Sequence, residues 1–323
     1  MLHYYSLSPD KIISAIESIG INCNATLIPL NSYENRVYQV GIEDGEPIIA
    51  KFYRPGRWSD EQILEEHQFS IDLAEAEISV VAPHKNNDGT LFKFEAFRFA
   101  LFTRRGGYPP ELENPSNLKV LGRTLGRIHS AGQARNFKYR PALSFSTEVN
   151  EASKFLLKEF IPEELKPAYT SLINNIDSVC RPVFENQYRA ASIRIHGDCH
   201  TGNILWRDNV AHFVDFDDCL NGPAIQDLWM FLSGSRSDRE MQLSQLIKGY
   251  NEFCDFDFSQ IRLIEPLRTR RVINYSAWLG RRWKDPAFPR NFPWFNTTRY
   301  WSDHVLELRE QLAAIEEDPL RVI

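Results

Sequence analysis

The 323-residue sequence contains no apolar run that approaches the roughly 18 uninterrupted residues of a membrane span. Its N-terminus lacks the cationic start, apolar core and small-residue cleavage site of a secretory signal. Cysteine is scarce: the five residues are scattered and odd in number, which excludes the disulfide framework of a small secreted protein. We therefore expect a cytoplasmic protein.

No internal repeat and no sustained heptad pattern is present in the sequence, which excludes solenoids and coiled coils. Basic residues number 37 and acidic residues 43, so the net charge is −6 at pH 7. That balance argues against wholesale electrostatic binding to nucleic acid or to an anionic membrane, and we expect neither partner. The composition, 43% hydrophobic and 25% charged, is that of an ordinary globular protein, and the length suggests about two compact units.

The first third of the chain carries the signals of a small β-sheet. Ser8 and Pro9 favour the start of a first helix, which Gly20 would stop. Further on, Ser59 with Gln62 three residues later has the pattern of a helix N-cap. Four short runs rich in β-branched and aromatic residues surround that second helix: Val37–Val40, Ile48–Phe52, Thr90–Phe94 and Phe97–Phe102. The sequence therefore predicts a small antiparallel sheet interrupted by one helix.

Helical patterns dominate after the pair Gly106-Gly107. They run at Leu118–His129, Glu151–Phe160, Glu163–Cys180 and Met241–Glu252, and a terminal exposed helix is predicted at Ser302–Glu317. Two short strand-like runs around a polar loop break this pattern once, between Ile193 and Asp218. We predict an α+β protein with two lobes, a small antiparallel-sheet N-lobe at residues 1–105 and a larger, mainly helical C-lobe at residues 106–323.

Polar residues suited to catalysis gather in this interruption. Asp198 and Asn203 lie five residues apart in a glycine-containing loop, and Asp215 ends a strand-like run twelve residues further on. Mg²⁺ prefers carboxylate oxygens and typically uses one or two of them together with substrate phosphates. Asp215 and Asn203 are therefore candidate ligands of a metal–nucleotide, which leaves Asp198 to accept a proton from an attacking hydroxyl.

The spacing of these residues resembles that of a known superfamily. The loop from His196 to Asn203, with Asp198 inside it and Asp215 after it, is similar to the catalytic-loop and metal-binding motifs of the protein-kinase-like superfamily. Within it the likeness is to the aminoglycoside- and choline-phosphotransferase branch, because Gly197 stands where protein kinases usually have Arg. A two-lobed protein-kinase-like fold is what this resemblance implies.

The resemblance also implies nucleotide-binding parts upstream. Lys51 lies in a strand pattern that suits the lysine that orients the phosphates, and Glu66 on the second helix is its implied partner, with Glu65 as the rival. The candidate phosphate loop, residues 31–38, lies between strand patterns and contains no glycine. Its best phosphate contact is Ser32, through the hydroxyl and the neighbouring backbone N–H groups.

Longer segments resemble the bacterial stress response kinase A family. These segments are Leu30–Gln39, Lys51–Pro55, Gln62–Phe69, His196–His200 and Asp285–Pro289. The resemblance spans nearly the whole chain and implies a serine/threonine protein kinase built like a choline kinase, with ATP and Mg²⁺ as cofactors. It also implies a cytoplasmic monomer with a role in stress survival, and a supporting residue, Asp227, that braces the catalytic loop.

The acceptor of the phosphate stays open in the sequence. A Ser or Thr hydroxyl of a protein is implied by the family, whereas related enzymes modify small hydroxyl metabolites. The acidic pair Asp217-Asp218 would suit a cationic small molecule. A non-catalytic ATP-binding regulatory protein is a third interpretation, and the intact set of kinase residues weighs against it.

Cysteine and histidine near Asp198 allow two further interpretations. A zinc site would use imidazole and thiolate groups from His196, Cys199, His200 and Cys219, but the neighbouring acids favour a harder metal. We expect His196 instead to be a structural histidine that orders the loop. Cys199 is either a redox brake on the enzyme or a buried, inert thiol.

Residues 262–290 contain eight Lys or Arg against two Asp or Glu, interleaved with aromatic residues. Such a stretch can bind nucleic acid through phosphate contacts and stacking. Helical spacing favours instead a helix whose aromatic residues pack inward and whose arginines extend along its surface. A surface that recognises a phosphorylated or acidic substrate is an intermediate interpretation.

Overall fold

The computed structural model describes residues 6–87, 89–188 and 192–322, and the statements below refer to these ranges. They form two compact units, each assembled from three stretches of the chain. Unit 1 contains the described residues of Met1–Pro141, Arg194–Leu220 and Gln245–Asp255, and unit 2 those of Ala142–Ile193, Asn221–Ser244 and Phe256–Ile323. The sequence-based division into a nucleotide-binding lobe at residues 1–105 and a catalytic lobe at residues 106–323 stays a prediction.

The described residues contain nine strands and ten α-helices. The strands are β1 (Cys23–Pro29), β2 (Arg36–Ile42), β3 (Ile48–Phe52), β4 (Phe92–Phe94), β5 (Phe97–Thr103), β6 (Ile193–Ile195), β7 (Ile204–Arg207), β8 (Val210–Phe213) and β9 (Leu220–Gly222). The helices are α1 (Pro9–Glu17), α2 (Asp60–Glu75), α3 (Pro115–Gly132), α4 (Phe145–Glu159), α5 (Lys166–Tyr188), α6 (Ile225–Leu228), α7 (Arg236–Tyr250), α8 (Ile264–Arg281), α9 (Ala287–Asn291) and α10 (Thr298–Glu316).

The N-terminal part of unit 1 is a five-stranded antiparallel sheet in the order β1-β2-β3-β5-β4. Lys51, in the central strand β3, lies opposite Val37 of β2 and Ala100 of β5. Helix α1 covers the sheet, and Ile12 of the helix shares a buried cluster with Phe52 of the sheet. The predicted sheet is therefore present, with β1 as an additional strand whose mostly exposed residues lack the alternation that marks a strand.

The two predicted helix starts in unit 1 are confirmed at their caps. The Ser8 hydroxyl accepts a hydrogen bond from Lys11 N at 3.4 Å, and α1 follows. At α2, Ser59 Oγ accepts from Gln62 N at 3.3 Å while Ser59 N donates to Gln62 Oε1 at 2.9 Å. This reciprocal pair is a capping box, which the two residue types at this spacing predict.

Helices dominate the rest of the chain, as the sequence predicts, and the α+β fold class is confirmed. The interruption between residues 193 and 218 holds three short strands, β6, β7 and β8, instead of the two predicted runs, and β9 follows it. The expectation of an exposed terminal helix is wrong for one face of α10, since Trp301, Val305 and Leu308 are buried where the helix packs on α5 and α8. Their spacing of three to four residues makes an apolar stripe. Every helix in the described ranges falls short of what a membrane crossing requires.

Candidate active site

The end of the β7–β8 hairpin brings the candidate catalytic residues together. Ile204 pairs with Phe213 in the hairpin, so Asn203 before β7 and Val214 after β8 are neighbours. Val214 N donates to Asn203 O at 3.0 Å, and Asn203 Nδ2 donates to Asp198 O at 2.9 Å. These two hydrogen bonds hold Asp198 and Asn203 close to the end of β8, where Asp215 follows.

A glycine is required immediately before Asp198. Gly197 has a φ of +87°, in the left-handed region that side chains disfavour. A Cβ at this position would lie 2.2 Å from Asp218 O, far inside van der Waals contact. The close approach explains why an arginine cannot stand here, and it brings the segment of residues 216–218 directly against the catalytic loop.

His196 is fully buried beside the same loop. Its Nε2 lies 2.9 Å from Val214 O, and its ring centroid lies 4.5 Å from that of Phe216. These contacts support the predicted structural role of this histidine. The other supporting residue, Asp227, is fully buried in α6 of unit 2, and its role as a brace stays a prediction.

Asp215 adopts a backbone conformation that is unusual for its residue type. Its φ of 60° and ψ of 66° are left-handed, at the junction between β8 and the short turn of residues 216–218. The side chain is 47% exposed, and Oδ1 accepts a hydrogen bond from Lys51 Nζ at 2.9 Å. The junction therefore aims a half-exposed carboxylate at the central strand of the sheet.

Lys51 is almost completely buried and is surrounded by carboxylates. Besides Asp215, its Nζ lies 3.3 Å from Glu66 Oε1 and 3.3 Å from Asp217 Oδ1. Burial alone would lower the pKa of Lys51, but the charges of Asp215, Asp217 and Glu66 raise it well above its ordinary value. The ammonium group thus keeps its charge inside the protein.

Glu66, and not Glu65, is the glutamate that meets Lys51. Burial raises the pKa of Glu66 from 4.5 to about 7, against the lowering effect of Lys51, and Asp217 adds to the increase. Arg140 Nη2 also donates to Glu66 Oε2 at 3.2 Å. The sequence did not single out Arg140, because its partner lies 74 positions away and no local pattern marks the pair.

Glu65 has a different task in the structure. Its carboxylate accepts hydrogen bonds from the backbone N–H groups of Lys138, Tyr139 and Arg140, at 2.7, 2.7 and 2.8 Å. Gln62, one turn earlier on α2, donates from Nε2 to Tyr139 O at 3.0 Å. The face of α2 next to Glu66 is therefore fastened to residues 138–140.

Side chains fix the candidate phosphate loop, which has no glycine. Ser32 Oγ donates to Asn35 O at 3.2 Å. Arg54 Nη2 and Nε donate to the carbonyl oxygens of Tyr33 and Glu34 at 2.9 and 2.8 Å, and Arg54 N donates to Asn35 Oδ1 at 3.1 Å. The phosphate contact predicted for Ser32 stays a prediction.

Arg57 is a charged residue of the site that the sequence did not reveal. Its guanidinium donates through Nη1 to Asp217 Oδ2 and through Nη2 to Asp218 Oδ1, and its Nε lies 3.6 Å from Glu34 Oε1. Burial would raise the pKa of Asp217, but Lys51, Arg57 and Arg140 lower it well below its ordinary range. The buried acid is therefore ionised and balanced by cations of the protein itself.

Asn203 and Asp215 have the donor atoms that fit a divalent cation. Asp215 offers a half-exposed carboxylate. Asn203 uses Nδ2 on Asp198 O, which leaves its Oδ1 as the atom for coordination. Carboxylate and amide oxygens are the hard donors that Mg²⁺ takes, together with phosphate and water oxygens.

The five cysteines are all buried, and none is in a disulfide. Cys199, next to Asp198, is fully buried, which supports the interpretation as an inert thiol, and burial raises the pKa of Cys219 to about 12. His200 Nε2 lies 3.5 Å from Asp198 Oδ2. Within the described ranges, no three His, Cys, Asp or Glu side chains gather in a way that could hold a metal ion.

The basic stretch of residues 262–290 contains α8, and several of its arginines contact other residues of unit 2. Arg268 bonds Glu265 at 3.1 Å, and Arg270 pairs with Glu148. The Arg282 guanidinium lies 5.5 Å from the centroid of the Trp278 ring. These contacts favour the predicted helix with aromatic packing over a surface for nucleic acid.

Comparison with known proteins identifies relatives along the whole chain. A family model described as "Phosphotransferase enzyme family" matches residues 26–264. "Stress response kinase A" of Escherichia coli O157:H7 is 44% identical over 320 residues, which cover 99% of this chain and 97% of that protein. "Serine/threonine protein kinase RdoA" of Salmonella typhimurium is 43% identical with the same coverage. Among solved structures, an amicoumacin kinase in complex with AMP-PNP, Ca²⁺ and Ami is similar with a TM-score of 0.75 at 19% identity, over 99% of this chain and 97% of that one.

Proposed function

Because the chain belongs to the phosphotransferase enzyme family and, within it, to the stress response kinase A family, we propose that it transfers the γ-phosphate of ATP, with Mg²⁺, to a Ser or Thr hydroxyl of a protein. The observation that carries the proposal is the double pairing of Lys51 with Glu66 and Asp215. A strand, a helix and the end of a hairpin supply these three residues, and a lysine held in this way can orient phosphates.

Lys51 and the candidate phosphate loop bind the nucleotide in this proposal. The ammonium group of Lys51 contacts the α- and β-phosphates while Glu66 keeps its side chain in place. Ser32 contributes its hydroxyl and the neighbouring N–H groups. Phosphoryl transfer requires mainly positioning and neutralisation of charge, so a preformed cation in the sheet is a large part of the site.

In this proposal Asp198 is the base, and Asn203 and Asp215 bind the cation. Asp198 accepts the proton of the acceptor hydroxyl as that oxygen bonds to the γ-phosphorus, and the bond from the γ-phosphorus to the oxygen of ADP breaks. Asn203 and Asp215 hold the cation. When bound, Mg²⁺ supplies neutralisation of the charge on the β- and γ-phosphate oxygens.

The contacts of the acidic pair bear on the choice of acceptor. Asp217 and Asp218 are the residues that would suit a cationic small molecule, yet both accept hydrogen bonds from Arg57. The Asp217 side chain is almost completely buried and already faces Lys51 and Arg57, and Arg57 also pairs with Asp218, so the acidic pair has a weaker attraction for a further cation. A protein hydroxyl is therefore the acceptor that we propose, in agreement with the name of the Salmonella relative.

We also propose that the protein is located in the cytoplasm and is a monomer. Five buried cysteines without a disulfide suit a reducing compartment. The monomer rests on the family resemblance alone.

Transfer of radiolabelled γ-phosphate tests the proposed function directly. The purified protein is incubated with labelled ATP and Mg²⁺, and with itself, a generic basic protein or a panel of hydroxyl metabolites as acceptor. We expect label in Ser or Thr of protein, and loss of that label in Asp198→Asn. Label in metabolites alone would replace the protein acceptor by a small molecule, and no transfer to any acceptor by a protein that binds ATP would favour the regulatory alternative.

A further inference from the structure

Arg57 contacts the candidate phosphate loop and two acids that lie 160 and 161 positions after it in the sequence. It stands between β3 and α2, and each of its three guanidinium nitrogens faces a different carboxylate. Nη1 donates to Asp217 and Nη2 to Asp218, while Nε lies 3.6 Å from Glu34 of the candidate phosphate loop. The Arg57 side chain is 17% exposed, and its pairs with Asp217 and Glu34 are shielded from most of the solvent.

A second arginine, Arg54, fixes the candidate phosphate loop at Glu34. Its Nε donates to Glu34 O at 2.8 Å and lies 3.3 Å from Glu34 Oε1, and its Nη2 donates to Tyr33 O at 2.9 Å. The loop therefore reaches Asp217 and Asp218 through Glu34 and Arg57. The acidic end of this connection, residues 215–218, carries Asp215, which bonds Lys51.

The chemistry of arginine is essential to this arrangement. A guanidinium is planar and presents five N–H donors in a fixed fork, so it can hold several carboxylates at once. An ammonium group on a lysine is a compact point charge and cannot reproduce the three directions. The pairing adds to the Arg54 hydrogen bonds that hold this loop.

We propose that Arg57 is a positioning residue that couples the candidate phosphate loop, residues 31–38, to the acidic segment, residues 215–218, so that the order of one depends on the other. The consequence for catalysis rests on the proposed function. In that function residues 31–38 cover the phosphates and residues 215–218 hold the cation, and Arg57 fixes the position of one segment relative to the other. The coupling itself is a property of the protein without nucleotide.

Hydrogen exchange in the absence of nucleotide tests the coupling. Asp218→Ala removes one carboxylate at the acidic end, and Asp218 is 43% exposed, so the change is mild for the core. We expect faster exchange of the backbone amides of residues 31–38, by about tenfold, because a hydrogen bond between charged groups is lost. Glu75→Ala, an acid-to-alanine change at an exposed position of α2, is the matched control and leaves the loop unchanged.

The route of the effect is tested in a second background. In Arg57→Gln the loop already exchanges faster, and adding Asp218→Ala produces no further increase. Arg57→Lys, which keeps the charge, serves as the background if the glutamine variant does not fold. Unchanged loop exchange in Asp218→Ala, or an equal increase in the Arg57 backgrounds, would overturn the coupling.

Binding of AMP-PNP with Mg²⁺, measured by calorimetry on the same proteins, separates this inference from the proposed function. Wild-type protein that binds no nucleotide would contradict the kinase proposal, and the exchange result alone would then decide the role of Arg57. Wild-type binding that weakens about tenfold in Asp218→Ala and in Arg57→Lys supports both. Wild-type binding with no change in these variants limits the coupling to the empty protein and overturns its role in nucleotide binding.

Discussion

Asp198 and Asp215 differ in the contacts that they make, which agrees with the separate tasks that we propose for them. The Asp198 carboxylate is 26% exposed and lies 3.5 Å from His200 Nε2. The Asp215 carboxylate is 47% exposed and bonds Lys51, the proposed phosphate ligand. Substitution at the two positions should therefore affect turnover and nucleotide binding differently.

Asp198→Asn is expected to lower kcat by about 100-fold or more, because it removes the base and keeps the shape of the side chain. The affinity for AMP-PNP with Mg²⁺ stays within about twofold of wild type, since the residue takes no part in holding the nucleotide. Asp215→Ala serves as the contrast and loses the part of the nucleotide affinity that depends on Mg²⁺. Comparable turnover by Asp198→Asn and wild type would contradict the assignment.

The raised pKa of Glu66 predicts that the stability of the protein depends on pH. Its pKa in the folded protein is about 7, whereas 4.5 is its ordinary value. Between these values the folded state keeps a proton that the unfolded state has released, so the free energy of unfolding falls as the pH rises. The slope is at most about 1.4 kcal/mol per pH unit.

Glu66→Gln removes this dependence because the amide stays neutral. We expect the variant to gain stability relative to wild type as the pH rises from about 5 to about 8. Urea unfolding across this range measures the difference, and Glu75→Gln, at an exposed position of the same helix, is the control without a trend. A constant difference between Glu66→Gln and wild type would show that Glu66 does not titrate in this window.

At the scale of the element, α2 is fastened on the side that faces the site. Glu65 accepts three backbone N–H groups of residues 138–140, and Glu66 on the same side bonds Lys51 and Arg140. The helix therefore cannot rotate without losing several hydrogen bonds together. Contacts within unit 1 therefore fix the position of α2 next to Lys51.

Glu65→Ala is expected to lower the free energy of unfolding by about 1–3 kcal/mol, because three backbone donors lose their acceptor. Exchange of the amides of residues 138–140 should increase, and nucleotide affinity should fall as α2 loosens near Lys51. Glu61→Ala, at an exposed position one turn earlier, controls for a general effect on the helix. Protection of residues 138–140 equal to that of wild type would contradict this role.

At the scale of the whole molecule, unit 1 depends on segments that are far apart in the chain. Residues 245–255 pack on α3 so closely that a Cβ on Gly122 would lie 2.0 Å from Leu246 O, and one on Gly126 2.5 Å from Tyr250 O. His129 Nδ1 also lies 3.1 Å from Tyr250 Oη. The candidate nucleotide site is thus part of a unit that residues 245–255, a late segment of the chain, complete.

Gly122→Ala tests this dependence in the full-length protein. The added methyl group meets backbone atoms of residue 246, and overpacking of this kind costs about 1–3 kcal/mol. We expect an earlier urea transition, whereas Gly45→Ala, where a Cβ meets its nearest neighbour at an ordinary 3.8 Å, leaves the transition within error. Equal midpoints for the two variants would mean that the segment can move away without cost.

The elements that could be predicted are those with local signals. Ser59 and Gln62 marked a helix start because the hydrogen bonds of a capping box join residues three apart. The four predicted strand runs correspond to β2–β5, since short runs rich in β-branched and aromatic residues mark strands. Strand β1 and the buried face of α10 were missed, because the residues of β1 are mostly exposed and the buried face of α10 became clear only from its packing on α5 and α8.

The sequence by itself determined the fold class, the family and the residue types of the site, because cap signals, strand patterns and motif spacing are written in short stretches of chain. Tertiary structure alone decided between Glu66 and Glu65 as the partner of Lys51. It also paired Arg57 with Asp217 and Asp218, a contact between residues about 160 positions apart. Such pairings join positions that folding brings together from far along the chain, and the energy that selects them comes from burial and charge in three dimensions.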